Sequence, residues 1–353
     1  MTTGYRPVGA ANVTIKEIAA RLGVSHSTVS RALNDHRSTS ARTKTLVRDM
    51  ADTLGYIANT PARAMRRAQS SMVGLIIPDI QNDFYATVAK VMAEHCGREN
   101  LQLVLAVTED DPEIEFRHVR ALREALAAGV VTTLSSSCRP DTLRLLNGTV
   151  HLQLLRMHPN CPSDFVGVDD RGGVYEATRH LIGLGHRRIA FIGGPKGVST
   201  TSERYAGFRA ALFEAGLPAE RMLAEFGPPR PSFGRDATAR VLADRPVWTG
   251  LVIASPQITI GAIEALDAAR HRIPDDLSLV SYGDAPWFRL WRSPISAIDL
   301  PAGDVAATTA SLLFRRIRDR AAGVEAPIKP IHVALSSHLV PRGTTGAPMA
   351  ATV

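Results

Sequence analysis

The stretch GVSHSTVSRALN, Gly23 to Asn34, sets hydroxyls and cations between apolar residues at helical spacing. On a helix begun at Ser25, the residues Val29, Ala32 and Leu33 share one side, and His26, Ser27, Ser30 and Arg31 are directed elsewhere. These groups can read DNA. Arg31 can donate two hydrogen bonds to a guanine, His26 and Ser27 can read neighbouring bases, and the hydroxyls of Ser25, Thr28 and Ser30 suit phosphate oxygens. No comparable set serves catalysis. GGPKG at Gly193–Gly197 lacks the spacing and the Lys-Ser/Thr of a phosphate loop, and neither a serine-nucleophile elbow nor a zinc-protease His pair occurs. Cys96, Cys138 and Cys161 are far apart and never form a Cys-x-x-Cys, so they read as reduced structural thiols, and His180 and His186 as structural histidines. No enzyme activity, metal or cofactor is expected.

The reading helix needs neighbours to hold it. Thr14 followed by Glu17 is a capping box, and Ile15, Ile18, Ala19 and Leu22 then recur at helical spacing until Gly23. Two short helices joined at Gly23-Val24 make a helix-turn-helix. Ser40 caps a third helix whose Leu46, Val47, Met50 and Leu54 are expected to close the small core.

Charge agrees with this placement. Residues 1–69 hold 11 Lys/Arg against 4 Asp/Glu, whereas residues 70–353 hold 30 against 30, so the whole net charge of +7 sits in the first fifth of the chain. A basic head on a neutral body points to a nucleic-acid-binding module attached to a domain with other work. After it, TPARAMRRAQSS carries a proline suited to a first helical position and Arg63, Arg66 and Arg67, a segment too short to hold a helix alone in water.

From Met72 onward, β-rich runs alternate with helical stretches. MVGLIIP, LQLVLAV, VVTTL and HLQLL read as one series of strands, and DFVGV, RRIAFIG, GLVIA and LSLVSY as a second. Buried strands alternating with helices predict two doubly wound parallel-sheet α/β units, with a ligand cleft outside the carboxyl ends of the strands. No apolar run approaches the roughly 20 residues of a membrane span, and the N-terminus lacks a signal peptide's apolar core, so the protein is expected in the cytoplasm with no membrane partner.

VTIKEIAARLGVSHSTVSRALN, TLGYIANTPARAM, VGLIIPDIQNDFY, GVDDRGGVYEATRHLIGLGHRRIAFIGG, SERYAGFRAAL and DDLSLVSYGD occur in order from about Val13 to Arg342, and together they resemble the LacI/GalR (lactose-repressor) family of bacterial transcriptional regulators. The resemblance implies a small all-α helix-turn-helix headpiece and an α/β core of two doubly wound subdomains of the periplasmic-binding-protein type, crossed three times by the chain. The expected boundaries are a disordered tail over 1–12, the headpiece over 13–58, a hinge helix and linker over 59–70, the core over 71–343 and a disordered tail over 344–353. Within the core, the N-subdomain is placed at about 71–163 plus 300–325 and the C-subdomain at about 164–299 plus 326–343.

The same resemblance implies that His26, Ser27 and Arg31 dominate base readout. Thr14, Ser25, Thr28, Ser30, Asn34, Thr43, Tyr56 and Asn59 are assigned to the DNA backbone, and Ala62, Arg63, Met65 and Arg66 to the minor groove at the hinge. Met65 stands where the family typically has a leucine that wedges into the central base step, or it packs hinge against hinge.

For the cleft, Asp79, Phe84, Asp170, Arg204, Ser255 and Asp284 are the expected effector contacts. Family effectors are small polar metabolites, often sugars. This chain departs from the pattern by having Ser255-Pro256 where an Asn-Asp is usual, and Gly283-Asp284 where two consecutive acids or an Asp-Asn is usual. Losing such acceptors puts pyranose binding in doubt and favours a sugar acid or a phosphorylated or carboxylated compound on Arg204. Arg204 can instead pair with Glu203 or Asp170, and Asp170 equally suits a helix cap.

The expected function is a repressor that binds a palindromic double-stranded operator as a homodimer, with pairing to a tetramer left open, and that is controlled by a small-molecule effector. The alternatives are a DNA-binding regulator with a vestigial core, and a solute-binding protein.

Overall fold

The computed structural model describes residues 13–33, 35–56, 70–217, 222–244, 247–324 and 329–349. The chain divides into two units, residues 1–67 and 68–353.

The small unit holds α1 (Ile15–Leu22), α2 (His26–Leu33) and α3 (Ala41–Leu54). Each start has a local cause. Thr14 Oγ1 accepts from Glu17 N, Ser25 Oγ from Thr28 N and Ser40 Oγ from Thr43 N, so a hydroxyl three residues upstream satisfies a donor the helix leaves open. Gly23 and Gly55, in the left-handed region at φ 63° and 66°, end α1 and α3. Ile18, Ala19, Val29, Ala32, Val47 and Ala51 form the core. Leu46 does not join them. It is 51% exposed, because Val47 and Ala51, four residues apart, are the α3 positions facing the other helices.

The large unit holds two six-stranded sheets. The first is built from β1 (Met72–Ile77), β2 (Gln102–Val107), β3 (Gly129–Thr132), β4 (His151–Leu154), β5 (Asp164–Val168) and β11 (His332–Leu335), in the order β11-β5-β4-β3-β1-β2 and entirely parallel. The second is built from β6 (Ile189–Gly193), β7 (Met222–Phe226), β8 (Gly250–Ile253), β9 (Ser278–Tyr282), β10 (Ser296–Asp299) and β12 (His338–Val340), in the order β12-β10-β9-β8-β6-β7, with only β12 antiparallel.

Around the first sheet lie α4 (Asp83–Arg98), α5 (Pro112–Glu124), α6 (Pro140–Leu146) and α11 (Ala302–Ala321); around the second lie α7 (Asp170–Gly183), α8 (Ser199–Glu214), α9 (Pro231–Ala243) and α10 (Pro256–Ala268). Central strands such as β1 are buried on both faces, which is why they read as unbroken runs of Val, Ile and Leu. Val88 and Met92 of α4 and Val305 and Leu313 of α11 share one core with Leu75 and Ile77, so α11 returns to the first sheet.

Three expectations are corrected. The run DFVGV is β5 of the first sheet, so the first subdomain extends through Val168 rather than stopping at 163. Residues 332–335 also belong to that sheet and not to the second subdomain, so the chain crosses after β5, after β10 and between β11 and β12. A run buried on both faces carries no mark of which of two sheets it joins. Finally, the C-terminal stretch read as a tail from Thr344 is built into the second sheet's end. Thr344 is fully buried, its hydroxyl accepts from Ser296 N and donates to Leu279 O, and Gly346 O accepts from Ser278 Oγ. Among the described residues no helix is long and apolar enough to cross a membrane.

Candidate DNA-reading face and ligand cleft

In the small unit, α2 presents His26, Ser27 and Arg31 to solvent, while Val29 and Ala32 are buried. Ser25 Oγ lies 2.8 Å from both Ser27 Oγ and Thr28 Oγ1, a hydroxyl cluster at the helix start in which Ser27 shares its group with the cap. Thr14 is spent on capping α1, and Thr43 Oγ1 lies 2.8 Å from Ser40 Oγ. Ser30 is half-buried, and Tyr56 packs half-buried against the headpiece core. Asn34, Asn59, Ala62, Arg63, Met65 and Arg66 lie outside the described residues.

Asp35, which no sequence pattern singled out, ties the loop after α2 to α3. At φ 58° it holds Lys44 at 2.9 Å and Arg48 at 3.2 Å. The lysine's hydrogen bond and charge, followed by the arginine's, pull its carboxyl below the ordinary range.

In the large unit a cleft of about 810 Å³ opens where both sheets' strands end, lined by Pro78, Val107, Leu155, Gly194, Ala254 and Gly283 among others. That is where open parallel sheets bind ligands. Asp79, Phe84, Arg204, Ser255 and Asp284 line it; Asp170 does not. Asp170 is buried behind the wall, where its Oδ1 accepts from Arg204 Nε at 2.7 Å and from the Tyr282 hydroxyl. Asp169, not Asp170, caps α7, accepting from Gly172 N at 2.8 Å.

Arg204 is therefore not the open fork expected of it. Its Nη1 donates to Ala254 O at 2.8 Å, and its guanidinium carbon lies 3.7 Å from the centre of the Tyr282 ring. Burial works against its charge, but Asp170 and Tyr282 outweigh burial and hold its pKa above the ordinary value. Burial, then the Asp170 charge, drives the Tyr282 hydroxyl well above its own.

Asp284 is likewise committed. Arg342 grips it with Nη1 at 2.7 Å and Nη2 at 2.6 Å, Arg289 adds a third contact at 3.1 Å, and these outweigh burial to lower its pKa. Asp79 accepts from Gln81 N at 2.8 Å, and Phe84 stacks edge-on against Tyr85.

Arg156 was missed. Its Nη1 donates to Asp110 and, at 3.0 Å, to Leu134 O. The usable signal was its place two residues past a buried strand, at the end where such sheets carry ligand groups. Glu109 and Asp110, beside it, adopt left-handed φ of 51° and 64°, a costly conformation for side-chain-bearing residues. Among the described residues, polar contacts join the two subdomains at Gln257 Nε2 to Gln81 O (3.2 Å), Met157 N to Ser199 Oγ (2.9 Å) and Arg230 to Glu109 (3.9 Å).

The family model described as bacterial regulatory proteins, lacI family, matches residues 14–59, and that described as a periplasmic binding protein-like domain matches residues 178–345. Over 314 residues the chain is 29% identical to the HTH-type transcriptional repressor PurR of Haemophilus influenzae (strain PittEE), covering 88% of this chain and 93% of that one. It is 30% identical over 312 residues to the HTH-type transcriptional regulator RegA of Clostridium saccharobutylicum, covering 87% of this chain and 93% of the relative. The fold is similar to that of a lac repressor dimer bound to operator and the anti-inducer ONPF, with a TM-score of 0.81 at 22% identity, over 96% of this chain and all of that one.

Proposed function

This chain belongs to the lacI family of bacterial regulatory proteins, and from that premise we propose that it is a cytoplasmic repressor that binds a near-palindromic operator as a homodimer and is controlled by a small metabolite in the cleft. Membership makes it a DNA-binding transcription regulator rather than an enzyme. The observation that carries the proposal is the α2 face: three groups able to read bases, His26, Ser27 and Arg31, exposed over a buried Val29 and Ala32.

The second copy is supported by the short helical turn Pro286–Arg289 and the two residues after it. Phe288 is buried there, but Leu290 is 84% exposed beside the half-buried Trp287 and Trp291, a large apolar group that self-association would cover. Two half-sites then lie about one helical turn apart. Effector binding changes the subdomain angle and so the presentation of the paired hinges, where Met65 wedges the central base step; the shift in operator affinity is bounded by the effector's differential affinity, about 1 to 3 kcal/mol.

A selection of bound DNA from random duplexes, run with and without a metabolite pool, tests this. A symmetric site whose recovery depends on the pool is expected; a single asymmetric half-site, or no enrichment, overturns the proposal. The internal pairing of Arg204 and Asp284 favours a second reading, a core that needs no ligand. A selection indifferent to metabolites would support it.

A further inference from the structure

Resting on the reading that the cleft holds an effector, we infer that this effector is an uncharged compound built on a flat aromatic or heteroaromatic ring with few hydrogen-bonding groups, rather than a polyhydroxylated sugar or an anion.

Three charged groups that line the cleft are already matched. Asp284, its side chain 2% exposed, accepts from both terminal nitrogens of Arg342 and from Arg289. Arg204 is balanced by Asp170 and Arg156 by Asp110. On the second sheet's side the two lining acids, Asp284 and Asp299, already face Arg342 and His338, so that side offers a sugar no free carboxylate to bridge neighbouring hydroxyls, and every hydroxyl left unpaired costs free energy. An anion needs a cation whose charge is not already balanced.

Along the wall contributed by the second sheet, prolines thin out the backbone donors. Pro195, Pro228, Pro229, Pro231, Pro256 and Pro286 line it, and none has a backbone N–H. Two of them, Pro231 and Pro256, sit at the starts of α9 and α10, where free N–H groups would otherwise face a ligand. Gly283, at φ 88°, comes so close to Pro256 that a Cβ there would lie 2.9 Å from the proline Cγ, so these two positions form one apolar floor. The same two positions, 256 and 283, are those where polar residues were expected and are missing.

The proline-rich side suits a ring. The prolines offer rigid C–H surfaces, and Phe84, at the start of α4, adds an aromatic side chain from the first subdomain. Ser255, buried but with no hydrogen-bond partner for its hydroxyl among the described residues, can fix orientation. A mostly apolar pocket with a few placed polar groups is the usual form of a site for such ligands.

The test is calorimetry and thermal unfolding of the full chain with three probe sets: phenol, benzyl alcohol, adenine and uracil; ribose and glucose; gluconate and benzoate. We expect a neutral ring compound to bind tightest, and Pro256→Asp to weaken it by about tenfold or more by placing an unmatched carboxylate in an apolar contact. Pro231→Ser serves as a second variant, and retained operator binding shows that each is folded. Tighter binding by either of the other sets overturns the inference. If all three sets are silent but a metabolite extract binds, the compound recovered from it decides: a ring compound supports the inference and any other overturns it. Silence from the extract as well overturns ligand control itself, and the inference falls with it.

Discussion

The α2 face and the cleft use the same residue types in opposite ways. On α2, Arg31 and His26 are exposed on a short helix held by a six-residue core. In the cleft, Arg204, Arg156 and Asp284 are each bound to a partner from the same chain. In the proposed function DNA supplies the partners of the first surface; the second has supplied its own. A charged residue in a concave site therefore says little about its ligand until its partners are known, whereas the same residue exposed on a reading helix says much.

The largest expected effect tests whether Arg204 is structural. Arg204→Ala leaves the Asp170 carboxylate buried without its cation, and urea unfolding should register a loss of about 3 to 5 kcal/mol. A stability unchanged by the substitution would return Arg204 to the role of a free ligand contact and erase the contrast. The mirror experiment is Arg31→Ala, expected to cost about 1 to 3 kcal/mol of operator affinity, in a binding assay at fixed salt, while leaving unfolding untouched.

A pH titration of stability separates the two units further. His151 is buried with its Nε2 2.7 Å from Thr132 Oγ1, and burial, only partly opposed by the charge of Asp164, lowers its pKa to about 3. Below about pH 6.5 the unfolded chain takes up a proton that the folded chain refuses, so stability falls as pH drops through that window, by about 2 kcal/mol at pH 5. His151→Asn should flatten that slope, and the small unit's melting should not follow it. The smallest effect concerns Leu46: because it is exposed, Leu46→Ser should change stability by no more than about 0.5 kcal/mol, and a larger loss would mean that α3 packs by a different face.

The headpiece was readable because its devices are local. Thr14 to Glu17, Ser25 to Thr28 and Ser40 to Thr43 each span three residues, within the reach of a capping rule. The cleft was readable as a location with most of its named lining, and the Arg204–Asp170 pair only as one of two alternatives. Arg204 meets Asp170 across 34 residues and Arg342 meets Asp284 across 58, and no periodicity links such positions. The alternation of strands and helices announced two sheets, but β5 and β11 could be assigned to the first only by seeing Phe165 paired with His332. Leu46 failed for a subtler reason: an apolar residue adjacent to a core position is not itself in the core when the helix turns it about 100° away.

The assignment of β11 bears on how the protein is made. Asp164 receives a hydrogen bond from Ile331 N, a residue 167 positions later, and a second clamp from Arg316. A ribosome extending this chain therefore releases β5 as an open sheet edge long before its neighbour exists, while the headpiece, whose core runs from Ile18 to Ala51, has already emerged. Until the last few dozen residues emerge, the nascent protein carries an unpaired parallel edge able to template association with another chain. Premature termination anywhere between β5 and β11 should yield a fragment with a folded headpiece on an aggregation-prone body.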